Sequence, residues 1–277
     1  SHLDVAVSHD AIGEVNRAKG DYDLAMENHR KALNIRLNKL GDNHSNVAVS
    51  YNNIAMAQLG LRDATGALDS ARKARAIQEN RLEYMLSFTT ERGRLAYRST
   101  QRPYNLIGTL GSGPDLAKAV LRNKGIILAS LMEDQLMARR SKDLEVKDLY
   151  DQLNSAKQVL HNSEQAFLRN VYITDAQMQE ARDKVEILHS KLARKINDER
   201  KSIGKARRAL SITPEKIQKR LLKDQALLEF VRYSHYMQED QWQERYGVVI
   251  ITKEGQPLWE SLGSAKDIEL LVDECLE

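Results

Sequence analysis

The sequence is poor in cysteine, proline and aromatic residues. Its 277 residues include one cysteine, Cys275, four prolines and only 5% aromatic residues. A single cysteine excludes an internal disulfide framework and is typical of a reducing compartment, so we expect a cytoplasmic protein. With 42% hydrophobic and 29% charged residues, the composition favours a helix-rich globular chain over a disordered chain or a β-sandwich.

Long hydrophobic runs are missing as well. One of the longest, Gly247 to Ile251, falls far short of the roughly 20 apolar residues that cross a bilayer, and no charged-then-apolar leader opens the chain. We therefore expect no membrane segment. The seven histidines are scattered, without carboxylate or thiol partners at ligand spacing, so we predict no metal and no cofactor.

Positive charge is concentrated in one stretch. Lys191 to Lys223 contains twelve basic and three acidic residues, whereas the whole chain has a net charge of only +3. Two interpretations stay open: a solvated helix face, or a docking surface for phosphates or acidic protein. The stretch lacks the aromatic residues that would stack on nucleic-acid bases. Direct contact with nucleic acid is therefore not the favoured interpretation.

The first third of the chain contains an internal repeat of 42 residues. Val5-Ala6-Val7-Ser8 recurs as Val47-Ala48-Val49-Ser50. Each copy has the pattern of two helices separated by a break, at Lys19-Gly20-Asp21 and at Leu61-Arg62-Asp63. We expect small residues to let the helices approach closely and larger apolar residues to fill the layer between the copies. The small set is Gly13, Ala25, Ala55 and Ala67, and the larger set is Ile12, Leu33, Ile54 and Leu68.

These residues resemble the tetratricopeptide repeat, and the long period with Leu40-Gly41-Asp42-Asn43-His44 between the copies resembles its kinesin-light-chain-like subtype. The resemblance covers Val5 to about Leu82. It departs from the common pattern at His9, where a large apolar residue is usual, and at Arg62, where glycine is usual. In that family the first helix of each repeat lines a concave groove that binds peptides or helices. The alternative is that the two repeats merely stack on further repeats. A groove of this kind implies a protein or ribonucleoprotein partner at Asp10, Glu14, Arg17, Asn52, Met56 and Leu59.

Helical periodicity continues after Leu82. Apolar residues recur at spacings of three and four from Val146 to Leu160 and again from Met178 to Ile203. This pattern predicts two long helices that pack as an antiparallel hairpin. The connection is predicted at Asn162 to Thr174, with Thr174 or Asp175 capping the second helix.

Strand-like sequence follows Thr213-Pro214-Glu215, which predicts a cap and a proline in the first turn of a short helix. A final amphipathic helix, Ser264 to Leu276, should pack on the sheet and bury Cys275. A sheet of this size would leave edges unpaired, so we expect the domain to continue beyond these residues. The strands are predicted at Ala226 to Tyr236, Tyr246 to Thr252 and Pro257 to Leu262.

This last region resembles the opening of a CHAT domain, which has a caspase-like fold. The resemblance rests on Leu227 to Tyr233, Arg245 to Ile250 and Leu258 to Gly263. CHAT domains commonly follow tetratricopeptide repeats and a helical segment, so the resemblance extends over nearly the whole chain. It implies a cysteine peptidase whose histidine and cysteine follow later core strands. No catalytic residue is therefore predicted within this chain.

Together these features predict a mainly α fold followed by a partial α/β segment. Residues 1–82 should form two tetratricopeptide-like repeats, residues 83–212 a helical middle with the hairpin, and residues 213–277 the N-terminal part of a CHAT domain. The resemblance implies a partner-binding, regulatory portion that gates a caspase-like cysteine peptidase. Relatives of this architecture include the craspase partner of RNA-guided CRISPR effectors. The alternative is a non-catalytic structural adaptor with a dead or truncated CHAT domain.

Overall fold

A computed structural model of the chain describes residues 2–86, 89–90, 93–96, 104–169, 173–202, 212–238 and 241–276. The chain divides into two compact units. The first, the repeat-sheet unit, consists of Ser1–Leu82, Arg102–Lys124 and Ile212–Glu277, and the second, the hairpin unit, of Glu83–Gln101 and Gly125–Ser211. The division at residues 82 and 212 stays a prediction. The predicted domains are continuous stretches of sequence, whereas each compact unit groups segments that contact one another in the fold.

Helices dominate the described residues, and a small sheet lies near the C-terminus. The repeat helices are α1 (His2–Ala18), α2 (Tyr22–Leu40), α3 (Ser45–Gly60) and α4 (Ala64–Leu86). The next helices are α5 (Asn105–Leu110), α6 (Gly113–Asn123), α7 (Ile126–Arg140), α8 (Leu144–Leu168) and α9 (Asp175–Ser202). The final elements are α10 (Pro214–Gln218), β1 (Ala226–Gln238), β2 (Gln241–Thr252), β3 (Leu258–Ser264) and α11 (Ala265–Leu276).

The two repeats fold as the predicted helical pairs. Both breaks are confirmed, since residues 19–21 and 61–63 separate the helices. Both turns place a residue in the left-handed region, with φ of +84° at Gly20 and +61° at the equivalent Arg62. Glycine adopts this region freely, whereas a residue with a Cβ atom is disfavoured there by about 1–2 kcal/mol. The departure from the common repeat pattern at Arg62 therefore introduces local backbone strain.

Small residues bring the repeat helices close together, as predicted. Gly13, Ala25, Ala55 and Ala67 are all buried. A Cβ atom added at Gly13 would lie 2.6 Å from the imidazole ring of His29. Contacts this short do not occur between carbon atoms, so α1 and α2 could not keep their separation with alanine at this position.

Larger apolar residues form a core between the repeats. Leu33, Ile54 and Ile77 are buried there, and Leu68 is partly buried. Ile12 was expected in the same layer, but it is 49% exposed. This expectation was wrong, because its side of α1 is not covered by α2 or α3.

The three strands form an antiparallel sheet in the order β1-β2-β3. Val231, Val249 and Ile251 are buried on one face, in a core shared with α4, α5 and α6. Trp259 lies at the edge of this core and donates from Nε1 to the carbonyl oxygen of Gly108 at 3.2 Å. The predicted strands are thus confirmed, although β2 begins earlier than the predicted Tyr246.

Charged residues join the repeats to the sheet through α4 and α6. Asp115 in the first turn of α6 is buried and accepts hydrogen bonds from Arg72 Nε and Nη2 at 2.9 and 2.7 Å, and from Arg75 Nη2 at 3.3 Å. Burial alone would raise the pKa of Asp115, but hydrogen bonds from Arg72 and Ser112 hold it below its usual value. Ala71 of α4 also packs into the sheet core. Repeats and sheet therefore form one packed unit.

Helix α11 packs on the sheet only near its beginning. Ala265 is buried, and Glu269 accepts a hydrogen bond from Arg232 of β1 at 3.0 Å. Leu271 and Cys275 are exposed. The expectation that this helix buries Cys275 was wrong, because its later turns do not lie against the strands.

The hairpin unit contains the predicted pair of long antiparallel helices. Glu145 of α8 pairs with Lys195 of α9 at 2.5 Å, and Glu164 pairs with Arg182 at 4.0 Å. Because residue numbers rise on one helix as they fall on the other, the two helices run in opposite directions. The buried residues between them are Val146, Leu149, Leu153, Ala156, Leu188, Leu192 and Ile196.

The connection between these helices is shorter than predicted. α8 runs to Leu168, past Asn162, where the connection was predicted to begin. Thr174 caps α9 as predicted: its Oγ1 accepts from the backbone N–H of Gln177 at 3.1 Å, while Gln177 Oε1 accepts from the N–H of Thr174 at 3.0 Å. This reciprocal arrangement is a capping box.

A buried arginine forms the polar centre of the hairpin unit. Arg94 lies in a helical turn at residues 93–96. Its guanidinium group donates to Asp134 Oδ2 at 2.7 Å, to Ser130 Oγ at 2.8 Å and to the carbonyl oxygen of Leu86 at 2.8 Å. Thr89 accepts a further bond from Arg94 Nε at 3.0 Å. The end of α4 is thereby tied to α7.

Candidate partner-binding groove

The six predicted contact residues occupy equivalent positions on two neighbouring helices. Each helix carries three of them, spaced by four and then three residues, which places them on one side of the helix. α1 and α3 contact each other, and all six residues are partly exposed. That a partner binds them stays a prediction. The set comprises Asp10, Glu14 and Arg17 on α1, and Asn52, Met56 and Leu59 on α3.

Asp10 is the centre of an internal polar cluster. Its side chain is only 13% exposed and forms an ion pair with Arg36 of α2. His29 Nδ1 of α2 lies 3.1 Å from Asp10 Oδ1. Burial alone would raise the pKa of Asp10, but the hydrogen bond with His29 and the positive charge of Arg36 hold it below its usual value. Asp10 therefore stabilises the α1–α2 pair.

Arg36 extends this cluster to α3. Its Nη1 donates to Ser50 Oγ at 2.6 Å and lies 3.3 Å from the carbonyl oxygen of Asn46. Arg36 and Ser50 are both buried. One guanidinium group thus connects α1, α2 and α3 beneath the predicted groove, and it fixes the spacing between the two groove helices.

Glu14 is the most accessible charged member of the predicted set. Its side chain is 43% exposed, while that of Arg17 is 11% exposed. Arg17 Nη2 donates to Glu14 Oε2 at 2.5 Å. Glu14 Oε1 also lies 3.6 Å from Nε2 of His29, whose side chain is fully buried. Glu14 therefore contacts the internal cluster and also presents part of its carboxylate to solvent.

The α3 row contributes a less charged surface. Asn52, Met56 and Leu59 are each partly exposed. An amide, a flexible thioether and a branched apolar side chain can contact peptide backbone and apolar side chains without a charge partner. The predicted groove thus has a charged half on α1 and a mostly neutral half on α3.

His29, Arg36 and Ser50 were not predicted from the sequence as part of this site. One signal was available: His29 and Arg36 are seven residues apart on α2, in line with the buried Ala25 and Ala32. Polar residues on the buried side of an amphipathic helix require partners, because an unpaired buried polar group is costly. The partners themselves come from other helices.

The basic stretch contains one clear cross-helix pair. Lys195 Nζ lies 2.5 Å from Glu145 Oε2, and the resulting hydrogen bond raises the pKa of Lys195. Both side chains are about half exposed, which fits the solvated face of a helix. Residues 203–211 of the stretch lie outside the described residues.

The described ranges contain neither a metal-binding cluster nor a membrane-spanning helix. Within them, no cluster of three or more His, Cys, Asp or Glu residues is placed to hold a metal ion. In the same part of the chain, no helix combines the length and apolar character needed to span a membrane.

Comparison with known proteins supports the repeats. A family model described as tetratricopeptide repeat matches residues 4–80. No curated protein and no solved structure matches the chain. The repeat prediction is thereby confirmed, and repeats of this kind typically present surfaces that bind other proteins. The kinesin-light-chain-like subtype and the CHAT resemblance stay predictions.

Proposed function

We propose that this chain is a protein-interaction scaffold whose α1–α3 groove binds a segment of a partner protein. The observation that carries this proposal is the tetratricopeptide repeat match over residues 4–80, together with matching rows of partly exposed side chains on α1 and α3. Stacked helical repeats present a concave surface of this kind to peptides and helices.

The six groove residues have different tasks under this proposal. Asp10 and Arg17 are largely engaged inside the repeat pair, so they hold the groove in shape. Glu14, Met56 and Leu59 contact the partner, Glu14 through its exposed carboxylate and the other two through apolar contacts. Asn52 binds the partner's backbone through its amide. A partner segment with a basic residue followed by apolar residues fits this arrangement.

We further propose that the groove regulates a caspase-like cysteine peptidase, as in a tetratricopeptide-CHAT protein that partners an RNA-guided CRISPR effector. The resemblance of Leu227 to Tyr233 and of the two later strand segments supports this proposal. The packing of α4 on α6 through Asp115, Arg72 and Arg75 adds a physical route from the repeats to the sheet. A partner that shifts α3 and α4 would transmit the shift through these ion pairs.

The test is affinity capture from the native cell with immobilised chain, comparing Glu14→Lys with Glu27→Lys. Glu27 is an exposed residue on α2 that pairs with Lys31, so it provides a matched charge reversal outside the groove. We expect Glu14→Lys to reduce recovery of the partner about tenfold or more, and Glu27→Lys to leave recovery unchanged. Met56→Glu should repeat the loss from the α3 side. Thermal denaturation checks that each variant is folded.

The outcomes distinguish the proposal of groove binding from the proposal of peptidase regulation. Equal recovery by Glu14→Lys and Glu27→Lys would contradict groove binding. Groove-dependent recovery of a ribonucleoprotein that ribonuclease treatment abolishes would support the CRISPR partner. Groove-dependent recovery that resists ribonuclease would keep the scaffold and contradict the CRISPR assignment. In a protein that joins this chain to the proposed peptidase domain, unchanged partner-dependent peptidase activity with Glu14→Lys would contradict gating.

A further inference from the structure

In the part of the chain that the structure describes, β1 is an edge strand, and α5 covers one half of its edge. The N–H of Ser234 donates to Asn105 Oδ1 at 3.1 Å, and the N–H of Tyr236 donates to Thr109 Oγ1 at 3.0 Å. Both acceptors belong to α5. These two N–H groups therefore point away from β2, and α5 side chains satisfy them where a neighbouring strand would otherwise do so.

The same row of outward groups continues along β1, where no other described residue covers it. Pairing with β2 is regular from Ala226 to Tyr236, and in an antiparallel strand every second residue directs its N–H and C=O groups to the same edge. Leu228, Phe230 and Arg232 therefore share the outward direction of Ser234. Among the described residues, none bonds to these three N–H and C=O pairs. The open edge thus offers three donors and three acceptors.

Side chains beside this edge favour an apolar strand. Leu228 and Phe230 lie on one face of the sheet and are 50% and 56% exposed. Cross-strand pairs of aromatic and β-branched residues on one face stabilise neighbouring strands. Apolar side chains of a strand added here would pack beside both of them.

Charges beside the edge further restrict the partner. Glu229 pairs with Lys124, and Arg232 pairs with Glu244 at 3.1 Å and Glu269 at 3.0 Å. Three carboxylates thus face two cations, which leaves one negative charge in excess. A neutral or basic segment is therefore preferred over an acidic one.

We propose that the 228–232 edge of β1 binds an extended segment of a partner protein by strand addition. The segment carries apolar side chains at two alternate positions and is neutral or basic. A second copy of this chain fits less well: antiparallel pairing of β1 with itself about Phe230 would place Ala226 of the copy opposite Ser234, where α5 covers the edge. This surface is separate from the repeat groove.

The test uses a displayed library of random dodecapeptides selected on the full chain. We expect enrichment of peptides with alternating apolar residues and no net negative charge. Their affinity is then measured by fluorescence anisotropy on Phe230→Ala and Phe230→Pro. Both variants lose the aromatic ring, but only proline also loses the outward N–H, and the bonds to β2 are kept in both. Phe230→Pro should bind about tenfold more weakly than Phe230→Ala.

Controls distinguish the edge from the groove and from a folding defect. Glu14→Lys should leave peptide affinity unchanged. Should Phe230→Pro lose the native tryptophan fluorescence, Leu228→Pro in the same row replaces it. The proposal is overturned if no alternating peptides are enriched, or if enriched peptides bind the proline and alanine variants equally. Concentration-dependent dimers that Phe230→Pro abolishes would assign the edge to a second copy instead.

Discussion

Neutralising Asp134 should strongly destabilise the hairpin unit. In Asp134→Asn the side chain keeps its size and an oxygen that can accept from Arg94, but the negative charge is lost. Arg94 is 1% exposed and Asp134 is 4% exposed. Water therefore cannot hydrate the guanidinium group in place of the lost carboxylate charge. Removing one partner of a buried ion pair costs about 3–5 kcal/mol, because the remaining charge loses that attraction without regaining its hydration. Because asparagine keeps the hydrogen-bond acceptor, we expect the lower end, about 3 kcal/mol.

Hydrogen exchange read out by mass spectrometry is the suitable assay, since it reports α7, α8 and α9 separately. A loss of about 3 kcal/mol corresponds to exchange faster by about two orders of magnitude in peptides from these helices. The matched control is Asp148→Asn, an exposed aspartate on α8 that accepts from Gln152 at 2.8 Å. We expect the control to stay within about 0.5 kcal/mol of the native chain.

A double variant tests the cause of this loss. Arg94→Met with Asp134→Leu removes both charges, and it should recover part of the stability. Recovery stays incomplete because the carbonyl groups of Leu86 and Thr89 lose the hydrogen bonds that Arg94 donates to them. If Asp134→Asn exchanges no faster than Asp148→Asn, the ion pair does not stabilise the unit and the reasoning is refuted.

Two further predictions concern the turn at Arg62 and the titration of His189. Arg62→Gly should raise the free energy of unfolding by about 0.5–1 kcal/mol, because relief of the left-handed strain exceeds the entropy that glycine adds to the unfolded chain; thermal denaturation by circular dichroism measures it. Burial, with the positive charges of Lys157 and Arg94, lowers the pKa of His189 to about 4. The unfolded chain binds this proton at higher pH, so the hairpin unit should lose stability as pH falls from about 6.5 to about 4, by on the order of 3 kcal/mol.

Matched variants check both results. Leu61→Gly changes the neighbouring residue, whose φ is −74°, and it should destabilise the repeats, since no strain is relieved there; stabilisation by both glycines would contradict the strain. His189→Gln should flatten the pH dependence of hydrogen exchange in α9 between pH 6.5 and 4, whereas His161→Gln on the exposed side of α8 should not. A slope that survives in His189→Gln would assign the effect to other groups.

Local sequence signals predicted most elements of this fold. The breaks at residues 19–21 and 61–63, the cap at Thr174 and the strands around Val231 and Val249 were all confirmed, because each depends on residues within a few positions of one another. The wrong predictions concern which side of a helix another element covers. Ile12 and Cys275 have apolar neighbours at helical spacing, yet periodicity alone does not say whether another element covers that side of the helix.

The candidate groove, too, was predictable from the sequence only in part. The 42-residue period placed Asp10 and Asn52 at equivalent positions, and the family match over residues 4–80 confirmed the repeats. The sequence did not reveal that Asp10 is held by Arg36 and His29. Asp10 was predicted to contact a partner, whereas in the structure it stabilises the repeat pair. Periodicity along α1 does not reveal this, because the residues that contact its carboxylate lie on α2.

By itself, the sequence determined the repeat pair, the helical hairpin and the three strands, since helix and strand periods, turn glycines and caps act over short distances along the chain. Only the tertiary structure decided that Asp115 joins α4 to α6, that Arg94 is buried against Asp134, and that α5 covers half of the β1 edge. These features depend on groups far apart in sequence, whose charges and hydrogen bonds become strong only when folding removes them from water.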